Sequence, residues 1–242
     1  SHASGLRIGP IFLPFDDEKD KREAPSLQSA VAKFGPIGPE FAPGTTYSFN
    51  NAGYNTVGAV IERASGVALE DFLRTRIYEP LGMTDTLNHE DESKLDRMAT
   101  VYAGRRGEDG KIVWTQRFTP GDPPDFPVIR ASGGMISTAQ DYAKFLQMYL
   151  NGGEYGGARI LTSASIAKAT TSHIDAGKDG GYGYGWMVGP DGSYAHSGSD
   201  GTYAWVDPTR ELIGLVFTQS PGGLNPRLRF RELVTGACGL GK

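Results

Sequence analysis

The stretch from Phe41 to Thr86, FAPGTTYSFNNAGYNTVGAVIERASGVALEDFLRTRIYEPLGMTDT, constrains this chain more than any other. It opens on Pro43-Gly44-Thr45, a turn in which proline fixes φ and glycine accepts a positive φ. Two adjacent amides, Asn50 and Asn51, follow at the mouth of a helix. Within it Val57, Val60, Ile61 and Ala64 recur at helical spacing, and Ser65-Gly66 stops the run. A second helix carries Leu69, Phe72, Leu73 and Ile77 on one stripe before Glu79-Pro80 ends it. A polar turn delivered onto two amphipathic helices can hold side chains rigidly over a cleft. The same pattern, read alone, equally fits a plain helical hairpin.

At 242 residues the chain can bury a substantial core as one or two domains. A net charge of −4 without a basic cluster argues against a nucleic-acid footprint. Arg227, Arg229 and Arg231 lie close together but read as a solvated face. No stretch approaches the roughly 18 consecutive apolar residues of a membrane span. The single cysteine, Cys238, excludes an internal disulfide and leaves the compartment open. His89 and His173 sit in charged or glycine-rich loops, and no H-x-x-x-H spacing suggests a metal. No cofactor is expected.

Along the chain, Arg7 to Glu40 reads as irregular structure on a cleft rim, with a short helix around Leu27 to Phe34. Asn88 to Pro127 is charged and Gly/Pro-punctuated, with a weak strand around Lys111 to Trp114. Thr138 is a candidate N-cap, and Asp141 three residues on completes a capping-box-like start. Tyr142, Phe145, Leu146, Met148 and Tyr149 form that helix's apolar face, and Leu161 to Thr171 is a further short helix. From Tyr182 the period becomes strand-like: Tyr182 to Val188, Ser193 to His196, Thr202 to Val206 and Leu212 to Gln219. Short turns between them imply antiparallel pairing, and Phe230 to Ala237 would close the sheet as a helix. The expectation is α+β, an antiparallel sheet flanked by helices plus a helical region. A helical, loop-rich part spans about residues 1–175 and a sheet-forming part about 176–242, within one domain.

The pattern P-G-T-x-(aromatic)-S-(aromatic)-x-N-x-G-Y, a helix, then E-P-L-G-M-x-D-T resembles the serine β-lactamase and penicillin-binding-protein superfamily. More narrowly it is similar to class C β-lactamase-related serine hydrolases and esterases. Ser132-Gly133-Gly134-Met135, Ser137-Thr138-Ala139, Asp141 to Gly153, Tyr184-Gly185-Trp186, His196-Ser197-Gly198 and Trp205 to Pro208 follow in that family's order. The resemblance implies a β-lactamase/transpeptidase-like fold and a hydrolase of carboxylic esters, amides or β-lactams. Ser1 to Leu6, SHASGL, looks like a segment that normally lies inside the family pattern, after the nucleophile's helix. On that match the chain is N-terminally truncated, although Ser1-His2 is also compatible with an expression remnant.

Members of the resembling family use a serine activated by a lysine one helical turn later, S-x-x-K, where hydroxyl and amine share a helix face. They add a tyrosine from Y-x-N, a strand carrying K-T-G or H-x-G, and an oxyanion hole of backbone N–H groups. The strand motif is His196-Ser197-Gly198: on the resemblance His196 would assist proton transfer or orient a substrate carboxylate or carbonyl, and Gly198 would let substrate lie against the strand. Phe49-Asn50-Asn51 falls over Y-x-N, so Asn51 is retained to bond a carbonyl or the lysine, whereas Phe49 has no proton to exchange. Tyr47 shares Phe49's face in an extended segment and is a substitute displaced by two residues' rise, roughly 7 Å. The one S-x-x-K in the chain, Ser165 to Lys168, lies where the family has a surface helix. No G-x-S-x-G elbow occurs, and Gly181 to Gly185 lacks phosphate-loop spacing.

Two readings follow. One is a β-lactamase-like serine hydrolase with His196, Asn51 and Tyr47 as catalytic candidates and Ser197, Gly198 and Phe49 lining the substrate. The other is a truncated or degenerate relative that binds without turnover. A missing segment would leave an apolar groove and a sheet edge facing water, so self-association or pairing with a complementary N-terminal fragment is expected.

Overall fold

The computed structural model describes residues 1–7, 26–123, 128–219 and 226–237. Much of the expected rim segment from Arg7, the end of the excursion at Pro127, and Cys238 lie outside the described residues. Helix α1 (Leu27–Ala32) starts on a reciprocal capping box between Ser26 and Ser29. Helix α2 (Asn51–Ser65) is capped by Asn50, whose Oδ1 accepts from Gly53 N–H at 2.8 Å. It stops at Gly66, whose φ of 77° is the left-handed conformation a terminating glycine adopts freely. Helix α3 (Leu69–Leu73) runs on through a wider turn, in which Glu79 N–H reaches back to the Arg74 carbonyl at 2.9 Å.

The α2 stripe differs from expectation. Val57 and Val60 are 54% and 60% exposed, and the buried positions are Ala52, Asn55, Gly58 and Ala59. Close approach is the reason. A Cβ on Gly58 would meet Ala131 Cβ at 2.8 Å, Leu27 Cδ2 at 3.0 Å and Leu69 Cδ2 at 3.1 Å. Small residues therefore form the contact face, and Asn55 Oδ1 fixes it by accepting from Ser132 N–H at 3.1 Å.

Strands β1 (Val101–Arg106) and β2 (Ile112–Phe118) form an antiparallel hairpin. The sequence showed only part of β2 and none of β1. Helix α4 (Ala139–Leu150) buries Leu146, Met148 and Tyr149, followed by the two-residue strands β3 (Glu154–Tyr155) and β4 (Ala158–Arg159) and helix α5 (Ser163–Ala169). Only half of the expected capping box forms. Thr138 Oγ1 accepts from Asp141 N–H at 3.1 Å, but the buried Asp141 carboxylate turns away from the cap. It accepts from Asp85 N–H at 2.7 Å and from Thr86 Oγ1 at 3.2 Å, and pairs with Lys144 Nζ at 2.9 Å.

The main sheet is an antiparallel meander of β5 (Ile174–Asp175), β6 (Gly181–Tyr182), β7 (Met187–Val188), β8 (Tyr194–Ser197), β9 (Tyr203–Asp207) and β10 (Leu212–Val216), in that spatial order. The expected strand Tyr182 to Val188 is two strands. Gly183 N–H bonds the Trp186 carbonyl at 2.8 Å, and Gly185 takes a φ of 86°. A Cβ on Gly183 would stand 2.2 Å from the Ala169 carbonyl oxygen, so glycine is what lets the turn close over α5.

Strand β9 is buried throughout, and its alternation feeds two cores. Ala204 and Val206 join Tyr194 and Trp186 against α4 and α5. Tyr203 and Trp205 join Ala195 on the opposite face, where α6 (Arg227–Ala237) docks Val234 and sets Phe230 5.8 Å from Trp205. Gly214, cross-strand from Trp205, has that indole over it, so a Cβ there would lie within 2.1 Å of three ring atoms. Gly214→Ala is expected to cost about 1–3 kcal/mol by overpacking. Denaturant unfolding should give a lower midpoint at unchanged slope; an unchanged midpoint would show that the sheet yields freely.

Candidate active site

The N-terminal segment builds one side of the site. Glu40, Gly44 and Ser48 donate backbone N–H groups to the carbonyls of Gly5, Ala3 and His2 at 2.7, 2.7 and 2.8 Å. Gly5, at φ 73°, permits this, because a Cβ there would stand 2.1 Å from the Phe41 carbonyl oxygen. The zipper buries His2, whose Nδ1 accepts from Asn50 N–H at 2.8 Å. Asn50 is itself buried, its Nδ2 donating to the Leu6 carbonyl and its Oδ1 capping α2.

Four aromatic rings surround the His2 imidazole: Phe49 at 4.3 Å, Tyr54 at 4.7 Å, Tyr182 at 4.9 Å and Tyr47 at 6.0 Å between centroids. Tyr47 also lies 5.4 Å from Tyr182. Phe49 and Tyr47 thus flank the same imidazole, with Phe49 48% exposed at the mouth and Tyr47 reaching inward. The alternation of an extended segment produces this without any rearrangement.

Strand β8 supplies the other side. His196 follows Tyr194 by two residues and pairs with Ala204, so it stands on the α4/α5 face at the end of the strand. Its Nδ1 lies 2.9 Å from the Ser197 carbonyl oxygen and its Nε2 2.9 Å from Tyr182 Oη. A carbonyl only accepts, so in the neutral ring Nδ1 carries the proton and Nε2 accepts from the Tyr182 hydroxyl. Tyr54 Oη, buried, approaches Tyr182 and the Gly185 backbone from α2, and among the described residues it has no hydrogen-bond partner of good geometry.

Of the sequence candidates, His196 and Tyr47 are joined through Tyr182, and Phe49 through His2. Asn51 opens α2, partly exposed, and among the described residues its amide makes no hydrogen bond, which leaves it able to meet a ligand. Ser197 pairs with Tyr203 in the ladder and holds His196 by its carbonyl. Gly198 is exposed, but its lack of a side chain has a local cause: a Cβ would stand 2.2 Å from Thr202 Oγ1 across the turn closed by Gly198 N–H to the Thr202 carbonyl at 2.9 Å. Ser165 and Lys168 are exposed on α5, and the Ser165 hydroxyl bonds the capping Thr162. Sequence reasoning missed His2, Tyr54 and Tyr182. The signal lay in SHASGL and Gly53-Tyr54, used only for alignment, and in Gly181 to Gly185, read as lacking phosphate-loop spacing.

Burial lowers the His196 pKa, and burial foremost lowers that of His2 to about 4, with the Ser1 amine and His196 adding to it. Burial likewise raises Tyr54 and Tyr182 above the ordinary tyrosine value. At pH 7 the described cluster is therefore two unprotonated imidazoles among protonated phenols. Among the described residues no cluster of His, Cys, Asp or Glu could hold a metal, and no helix is long and apolar enough to cross a membrane.

Residues 1–236 match the family described as Beta-lactamase. The chain belongs to the β-lactamase family. A Salmonella heidelberg (strain SL476) protein provisionally named a D-alanyl-D-alanine carboxypeptidase is 23% identical over 97% of this chain and 60% of its own length. An Escherichia coli (strain K12) protein of the same provisional name is 24% identical over 75% of this chain and 47% of its own. The chain thus spans about half to three fifths of the length of these curated relatives. Among solved structures, the octameric penicillin-binding protein homologue from Pyrococcus abyssi superposes with a TM-score of 0.75 at 25% identity, over 99% of this chain and 54% of that one. EstCE1, described as a hydrolase with promiscuous acyltransferase activity, superposes at 0.72 and 19% identity over 97% and 70%. The β-lactamase/transpeptidase-like fold is the expected one.

The buried imidazoles make a pH prediction. Both have folded values below the ordinary histidine value, so the unfolded chain binds more protons wherever the two differ. Their contribution is complete above about pH 6.5 and falls as pH drops toward about 4, the value of His2. The urea midpoint should decline across that window, and less steeply in His2→Gln. Equal slopes in the two proteins would mean that His2 does not stay neutral in the fold.

Proposed function

We propose that this β-lactamase-family chain forms the cleft wall of a serine hydrolase acting on carboxylic esters, amides or β-lactams through an acyl-enzyme. The observation that carries the reading is the ordered set of family motifs ending in His196-Ser197-Gly198 at a strand end, with Tyr47 linked to it through Tyr182 and the unengaged amide of Asn51 at the head of α2. Relatives named for carboxypeptidase activity and a structural neighbour described as a hydrolase support the same chemistry. The activated serine is assigned to a segment outside this chain, because the Ser165 to Lys168 pattern sits on an exposed helix with Ser165 held by Thr162. A second reading, a relative that binds without turnover, is favoured by Phe49, which has no proton to exchange.

Calorimetry of the chain with a penicillin and with a phenyl ester should show binding that Asn51→Ala weakens about tenfold, near 1.4 kcal/mol. Intact mass spectrometry after a fluorophosphonate should show no stoichiometric adduct on Ser165 or Ser197. An adduct on a serine of this chain would overturn the assignment of the nucleophile, and absence of binding would overturn the ligand class. In the complete gene product, an adduct outside these residues supports the hydrolase; penicillin binding with no adduct supports the binding relative.

Association is the second part of the proposal. The exposed Val57 and Val60 face and the octameric state described for the Pyrococcus abyssi homologue support self-association, or pairing with a complementary N-terminal fragment. Light scattering at micromolar concentration should return a mass above that of one chain. A sharp monomer would remove self-association.

A further inference from the structure

His196 stands where a strand histidine could take a proton from a bound group, yet both of its ring nitrogens are already engaged. Nδ1–H is spent on the Ser197 carbonyl one residue away, a bond local to β8. Nε2, the basic nitrogen, is covered by the Tyr182 hydroxyl arriving from β6. Tyr182 is 1% exposed, and its ring is held between Tyr47 and His2, so its hydroxyl has little freedom to swing off the imidazole.

We propose that Tyr182 is the positioning residue of this site: by donating to Nε2 while Ser197 holds Nδ1–H, it fixes His196 in one tautomer and withholds its lone pair from any bound carbonyl or hydroxyl. His196 then acts as a fixed hydrogen-bonding anchor for Tyr182 and the strand end, and not as the base. This replaces the proton-transfer role that the His-x-Gly motif suggests. The inference deepens the proposed hydrolase site, but its test reads the imidazole itself and holds whether or not the chain turns over an ester.

Among the described residues the titratable groups facing His196 are Tyr182 from β6 and His2 from the N-terminal segment, with Tyr54 from α2 and Tyr47 packed against these two; its cross-strand neighbour is Ala204. None of these brings a negative charge at neutral pH. Removing the Tyr182 hydroxyl leaves the Nε2 lone pair of the neutral ring without its donor.

Long-range proton–nitrogen NMR of the nitrogen-15-labelled chain resolves the tautomer and titration of its four histidines, with His196→Gln assigning the signal. In the unaltered chain His196 is expected to be wholly the Nδ1–H form. In Tyr182→Phe the signal of the unprotonated Nε2 should move toward that of an imidazole nitrogen that accepts no hydrogen bond. In Tyr54→Phe, which removes a hydroxyl that makes no hydrogen bond to His196, that signal should stay in place. An Nε2–H form or a mixture of tautomers in the unaltered chain would overturn the proposal, and that reading needs no variant to fold. An Nε2 signal in Tyr182→Phe equal to that of the unaltered chain would overturn it as well.

Discussion

The bond from Asn50 N–H to His2 Nδ1 joins residues 48 apart in sequence at the point where the site begins. Asn50 serves three partners at once: His2 through its backbone, Leu6 and Gly53 through its side chain. Those bonds set where α2 starts, seat the N-terminal segment beside Pro39 to Ser48, and place an imidazole inside a ring of aromatics. Leaving a buried N–H without its acceptor costs on the order of 1–3 kcal/mol. Here the unpaired group would also be the entry to a helix. The adjacent amides look interchangeable in sequence, yet they divide the work: Asn50 is wholly structural and Asn51 is left unengaged.

A second knot explains why the motif E-P-L-G-M-x-D-T is coupled to Ser137-Thr138-x-x-Asp141. Asp141 collects the N–H of Asp85 and the hydroxyl of Thr86, Thr86 meets Ser137 Oγ at 2.8 Å, and the Asp85 carboxylate holds Arg97 and Lys94. These hydrogen-bonded ion pairs hold the Asp85 carboxyl far below the usual carboxylate range. Much of what aligns this chain with its family is of this kind. In this chain these motifs tie helix α4 to the turn after α3.

The meander, the closing helix and the helices around Leu27, Leu69 and Tyr142 were legible because period and punctuation agree there. Where they failed, close packing was the reason. Val57 and Val60 looked like a core stripe, but α2 packs through Gly58 and Ala59, and a pattern that counts large apolar residues cannot see a face made of small ones. Tyr182 to Val188 looked like one strand because each residue tolerates extended backbone. The turn is set by Gly183 meeting the carbonyl of Ala169, a partner on another element. The candidate site was half legible. His196, Tyr47 and Phe49 came from motif positions, but their grouping depends on Tyr182 and His2, which reach the site from elements far apart in sequence.

What the cluster can and cannot do follows from its charge. Two imidazoles held neutral by burial and phenols held protonated by the same burial make a site of directed hydrogen bonds with no strong base. Phe49 sharpens this. It keeps the shape of an aromatic beside His2 while removing the one hydroxyl at that position that could exchange a proton. Tyr47 stays within ring contact of Tyr182 and is less exposed than Phe49. Orientation of a carbonyl suits such a wall and abstraction of a proton does not. Any acyl transfer carried out on it needs a base that arrives together with the nucleophile, as a lysine one helical turn from a serine would. The division of labour is then physical: on the proposed hydrolase reading, this chain supplies one wall of the cleft and the reactive pair comes from elsewhere.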